Sequence, residues 1–164
     1  MSKKDTKDLL KFLSPFPEEV QSIALWLREF IWDQYPESNE LIYDNYNALA
    51  FGWSPGDKVG DTFCSIAVGR SSYNVHFGFY WGAMIADPKK ILLGNGNQYR
   101  YLLIKTKSDL PQAYIKKLMK EAYAYSLAKM KPVPTDKVIK GTTITKSISA
   151  VQRKPGKLTL KKYK

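Results

Sequence analysis

Apolar residues recur at helical spacing in two long stretches of the chain. In the first, Val20, Ile23, Ala24, Leu27, Phe30 and Ile31 form one stripe, with Ser22, Glu29 and Asp33 on the other side. Pro17 can open this helix, Glu18 and Glu19 suit the positive end of its dipole, and Pro36 stops it. In the second stretch Ile115, Leu118, Met119, Ala122 and Tyr125 predict a helix from about Pro111 to Lys129, capped by Ser108 or Asp109. A shorter set, Leu9, Leu10 and Leu13, predicts a helix over residues 5–13.

Between the long helices the period changes. NALAFGW (47–53), TFCSIAV (62–68), YNVHFGFY (73–80) and YRYLLIK (99–105) are rich in aromatic and β-branched residues, and turn material separates them. In the third of these strands Val75, Phe77 and Phe79 alternate with Asn74, His76, Gly78 and Tyr80, which predicts one packed face and one more polar face. Residues 83–93 are expected to hold a short helical turn around DPKKILL. Helix, sheet, helix in that order predicts an α+β two-layer sandwich. Its antiparallel sheet of about four to five strands is packed by the N-terminal and C-terminal helices.

Composition divides the chain. Its 164 residues suit one domain with a real core. The net charge of +11 is unevenly placed, because residues 131–164 hold ten lysines and arginines against Asp136 alone. That segment also has three prolines and one aromatic residue, Tyr163. Two units follow: a domain over 1–130, expected to fold without the rest, and a basic C-terminal extension over 131–164. Within the extension, residues 138–151 alternate well enough to supply a strand, the alternative being a disordered segment. A single cysteine, Cys64, precludes an internal disulfide and fits a reducing cytoplasm. No apolar run approaches a membrane span, and the N-terminal residues lack a secretory pattern, so no membrane association is expected.

The run from about Pro17 to Tyr125 resembles the YdhG-like family, a domain of unknown function. EEVQSIALWLREFI, ELIYDNYNALAFG, VHFGFYWGAMIADPKKILLGNGNQYR and the SDL before the last helix carry the resemblance. Its most specific part is D-P-x-x-x-L-x-G-x-G-x-x-x-R from Asp87 to Arg100. The resemblance implies a compact α+β domain with helices against an antiparallel sheet. Some members are described as frataxin-like intracellular iron chaperones, which implies labile iron as cargo. The chain departs from the family pattern at Asp44 to Asn47, Asn74, Asn97 and Tyr101, and each departure removes a cation or ligand that many members carry.

Three sets of residues are candidates for chemistry. Glu29, Asp33, Glu37, Glu40 and Asp44 could hold a hard cation weakly through carboxylate oxygens, or simply form a solvated acidic face. Gly94, Gly96 and Arg100 could cradle an anion, but G-N-G-N leads into a strand and matches no phosphate-loop spacing, so a turn also explains it. Asn74, His76 and Tyr80 share one sheet face and could contact a ligand or partner. Catalysis is not expected: His76 is the only histidine, and Cys64 alternates with Ile66 and Val68 like a core residue. The alternative to a carrier is a module for protein or nucleic acid. It would use the aromatic sheet face, with the basic extension as the contact for a protein partner or polyanion.

Overall fold

A computed structural model describes residues 6–163. Among the described residues four helices accompany a six-stranded sheet: α1 (Thr6–Leu13), α2 (Glu18–Gln34), α3 (Gln112–Lys129) and α4 (Lys157–Tyr163). The strands are β1 (Asn39–Asp44), β2 (Ala48–Ser54), β3 (Cys64–Gly69), β4 (Val75–Phe79), β5 (Arg100–Leu103) and β6 (Thr143–Ile148). Their spatial order is β5-β4-β3-β2-β1-β6. The α+β class holds. The first five strands pair antiparallel, while β6 runs parallel to β1, so the sheet is mixed and larger than the antiparallel four or five expected.

Alternation in the strands builds the core. Leu49, Phe51 and Trp53 on β2, Ile66 and Val68 on β3, and Phe77 and Phe79 on β4 are buried toward the helices. Against them lie Ala24, Leu27 and Ile31 of α2 and Ile115, Leu118 and Met119 of α3, the stripes that helical spacing predicts. Burial of the large side chains supplies roughly 1.5–3 kcal/mol each, the main force holding the layers together. Asp5, part of the expected first helix, lies outside the described residues.

Strand β1 was hidden because its core-facing positions are not all apolar. Glu40, Ile42 and Asp44 share the helix side, and both acids are nearly or fully buried. Each meets an arginine. Arg28 of α2 donates from Nε to Glu40 Oε2 and from Nη2 to Glu40 Oε1, both at 2.7 Å. Arg70, just after β3, pairs with Asp44 and also donates from Nε to the Asn45 carbonyl at 2.9 Å. A carboxylate taken from water needs such a fork-shaped partner.

The extension lies against the domain. Of the two alternatives for residues 138–151, the strand is what forms, as β6 along β1. The buried Asn39 side chain donates to the Ile139 carbonyl and accepts from the Thr142 amide and hydroxyl. Beyond β6 the chain crosses the hairpin ends of the sheet. There Arg153 N–H meets the Tyr46 carbonyl at 2.9 Å and Gly156 N–H meets Ser71 at 2.8 Å. It finishes in α4, where Tyr163 packs edge-on against Tyr73.

Two local expectations are corrected. Residues 87–93 form no helical turn; a 3-10 turn lies earlier, at Gly82–Met84. The Asp87 carboxylate instead organises that loop, accepting from the Leu92 amide and the Tyr114 hydroxyl. Ser108 and Asp109 do not cap α3, whose N-cap is Pro111. They belong to a 3-10 turn whose Asp109 accepts from the Lys105 and Thr106 amides. Among the described residues no helix is long and apolar enough to cross a membrane.

Candidate functional site

The sheet face opposite the core is unusual in its side chains. On β2 it presents Ala48, Ala50 and Gly52; on β3 it presents Ser65, Ala67 and Gly69. Ladder register places Tyr43, Ala50, Ala67, His76 and Leu103 in one row across β1 to β5. Strands stand about 4.8 Å apart, so Tyr43 and His76 face each other over roughly 14 Å of alanine floor. The result is a trough of about 420 Å³, within the size range of small-molecule sites.

One wall of the trough is a ladder of rings. His76 stacks on Tyr101 with centroids 4.1 Å apart and planes within 3°. Tyr101 in turn stacks beside Tyr99 at 5.6 Å and 16°. Gly78 makes the ladder fit, since a Cβ there would overlap the Tyr99 ring. Tyr99 thus lies across the backbone of β4, with its hydroxyl in reach of Ser65. Burial pushes the Tyr99 hydroxyl pKa up to about 12, with Tyr101 adding to the rise against the Ser65 hydrogen bond. It is a neutral donor at physiological pH. Burial, with Tyr80 nearby, also raises Tyr43.

His76 is half-buried, and burial lowers its imidazole pKa from the ordinary 6.5. No hydrogen bond reaches the ring among the described residues. The ring is therefore neutral at pH 7, and no residue lining the trough carries a charge. A consequence for stability follows. Between the lowered native value and 6.5 the unfolded chain binds more protons than the native one, so stability rises with pH through that window. It is complete above 6.5 and lost as the pH falls. Urea midpoints measured across this range should fall on acidification, and less so in His76→Gln. An NMR titration placing native His76 at or above 6.5 would contradict the assignment.

Asn74, His76 and Tyr80, the candidates expected to share a face, line this one trough together. The small-residue floor and the glycine seat of Tyr99 were missed by the sequence argument. The available signal was a period-two run of small residues at the same phase on two neighbouring strands.

The other two sets are not assembled into sites. Glu40 and Asp44 engage Arg28 and Arg70, and exposed Glu37 lies 3.8 Å from Lys140. Glu29 and Asp33 stay on the outer part of α2. Among the described residues no three His, Cys, Asp or Glu side chains are grouped to hold a metal ion. In the glycine loop, Arg100 Nη1 donates to the Gly96 and Tyr99 carbonyls at 2.7 and 2.8 Å, which turns it onto the loop backbone.

Only one of the loop glycines is conformationally required. Gly94 has φ +114°, whereas Gly96 is not in the left-handed region and a Cβ there would meet nothing within 4 Å. Gly94→Ala should cost more than about 1 kcal/mol, and Gly96→Ala should be close to neutral. Equal losses in thermal melts of the two variants would show that the loop is held otherwise.

Elsewhere, Cys64 is fully buried and burial raises its thiol pKa well above the ordinary range, which keeps it protonated. Comparison with protein-family models, with curated protein sequences and with solved structures found no match to this chain.

Proposed function

We propose that this chain is a non-enzymatic binding or carrier module whose site is the trough on the open sheet face, and that it takes an uncharged, planar ring. The observation that carries this reading is the combination of floor and wall. Alanine, serine and glycine leave room for a ring to lie flat on the sheet, and the His76–Tyr101–Tyr99 ladder offers parallel aromatic surface beside it. Ser65, Asn74, Tyr80 and Gln98 are neutral groups at the same trough, able to orient a ligand through hydrogen bonds. A charged ligand would lose hydration there without a counter-charge. The neutral lining selects against it.

The carrier role implied by the YdhG-like resemblance is placed by this reading at the trough. Two of the five carboxylates considered for iron are already committed to buried arginines. Calorimetric titration with indole, set against cyclohexylmethanol, tests the proposal. Indole should bind the wild type more tightly, by about tenfold. Ala67→Phe, which places a ring on the floor, should abolish binding without unfolding the chain. Equal affinity for the two probes, or indole binding unchanged in Ala67→Phe, would overturn it.

A further inference from the structure

Where the C-terminal segment runs from β6 toward α4 it encloses a second cavity, of about 500 Å³, against the end of α1 and the hairpin end of the sheet. Its character is opposite to that of the trough. Phe12, Phe16 and Ile148 give it apolar walls, while Lys11, Arg70 and Arg153 line it with cations. Asp44, also in the lining, is held by Arg70.

Arg70 is the anchor. It is only 4% exposed, its guanidinium carbon lies 5.3 Å from the centroid of the Phe16 ring, and its Nε and Nη2 are taken by Asn45 and Asp44. Its Nη1 has no hydrogen-bond acceptor among the described residues and keeps contact with solvent, the fully buried donors without a partner being Trp32 and Trp53 Nε1. At the other side Arg153 is fixed by its own amide to the Tyr46 carbonyl and by Nη1 to Asn47 Oδ1 at 3.2 Å. Lys11, on the last turn of α1, is exposed beside the cavity.

We infer that this cavity binds a small organic acid, with its carboxylate at Arg70 Nη1 and Arg153 and its apolar body against Phe12, Phe16 and Ile148. The free donor and the excess of cations call for an anion, and charge-assisted hydrogen bonds reward one. The aromatic walls call for more than a bare ion, because an inorganic anion would leave them wet. The C-terminal segment supplies Ile148 and Arg153, so it takes part in recognition as well as in the sheet. This site is independent of the trough.

Calorimetry on the full chain with 3-phenylpropionate, 3-phenylpropan-1-ol and inorganic phosphate tests the inference. The acid should bind about tenfold or more tighter than the alcohol and than phosphate, and its affinity should fall as salt rises. Arg153→Ala and Lys11→Ala change exposed side chains and should each weaken the acid several-fold, about as far as the loss of one charge-assisted contact allows. Ala67→Phe in the trough should leave acid binding unchanged. Acid and alcohol binding alike, no acid binding, phosphate competing as well as the acid, or full affinity in Arg153→Ala would each overturn the assignment.

Discussion

Arg28→Met is expected to cost about 3–5 kcal/mol, because it leaves the buried Glu40 carboxylate without its guanidinium. Glu40→Leu should also destabilise, since it removes both hydrogen bonds that Arg28 donates to that carboxylate. The two side chains are 2% and 0% exposed and share two 2.7 Å hydrogen bonds, and Glu40 Oε1 also accepts from the Thr143 hydroxyl at 2.9 Å. Taking both charges away is a different perturbation. R28M/E40L puts apolar volume where the pair was and should lose far less than the sum, with a coupling of about 2 kcal/mol or more. Urea unfolding of the two single variants and the double variant measures this directly. Additive losses would mean that the pair does not act as a unit.

Deleting residues 131–164 is expected to cost on the order of 3–6 kcal/mol, from several buried polar groups losing partners at about 1–3 kcal/mol each. Charge and composition alone argue that the deletion is harmless. The hydrogen bonds argue otherwise. Without β6 the outer edge of β1 is unpaired, Asn39 loses the Ile139 carbonyl and both Thr142 donors, and Glu40 loses Thr143. Since domains of this size have only about 5–15 kcal/mol in hand, the shortened chain should be marginal and prone to edge association. Chemical denaturation of the deletion variant should show a much lower midpoint or a loss of cooperativity. An unchanged midpoint would show that the segment merely rests on the domain.

The helices were legible because their apolar stripes are nearly complete. The Val20–Ile31 stripe and Ile115, Leu118, Met119 and Ala122 pack where 3.6-residue spacing puts them, while Tyr125 lies beside Trp81 and Ser126 takes the buried position. The strands β2 to β5 were legible from their aromatic and β-branched content between turn residues, with period-two alternation clear in β3 and β4. β1 was not, because Glu40 and Asp44 stand at core-facing positions, and only their distant partners Arg28 and Arg70 make that tolerable. No local pattern encodes a partner 12 or 26 residues away. β6 was half legible. Its alternation could be read, but Thr143, Thr145 and Lys146 read equally well as solvated extension. As for the site, the phase of His76 and Tyr80 was readable from β4 alone. The floor required knowing that β2 and β3 are neighbours in register, and the seating of Tyr99 required the backbone of Gly78.

The imidazole of His76 provides the most direct measurement of the central claim, since as the only histidine it gives one pair of NMR signals from the wall of the trough. Titrating indole into the protein at pH 7.5 should shift those signals upfield in a saturable way, as a second ring settles over the neutral imidazole. The Cβ signals of Ala50 and Ala67 should move with the same midpoint. Signals that stay in place while indole binds elsewhere, or that drift without saturating, would contradict the assignment of the open sheet face as the binding site.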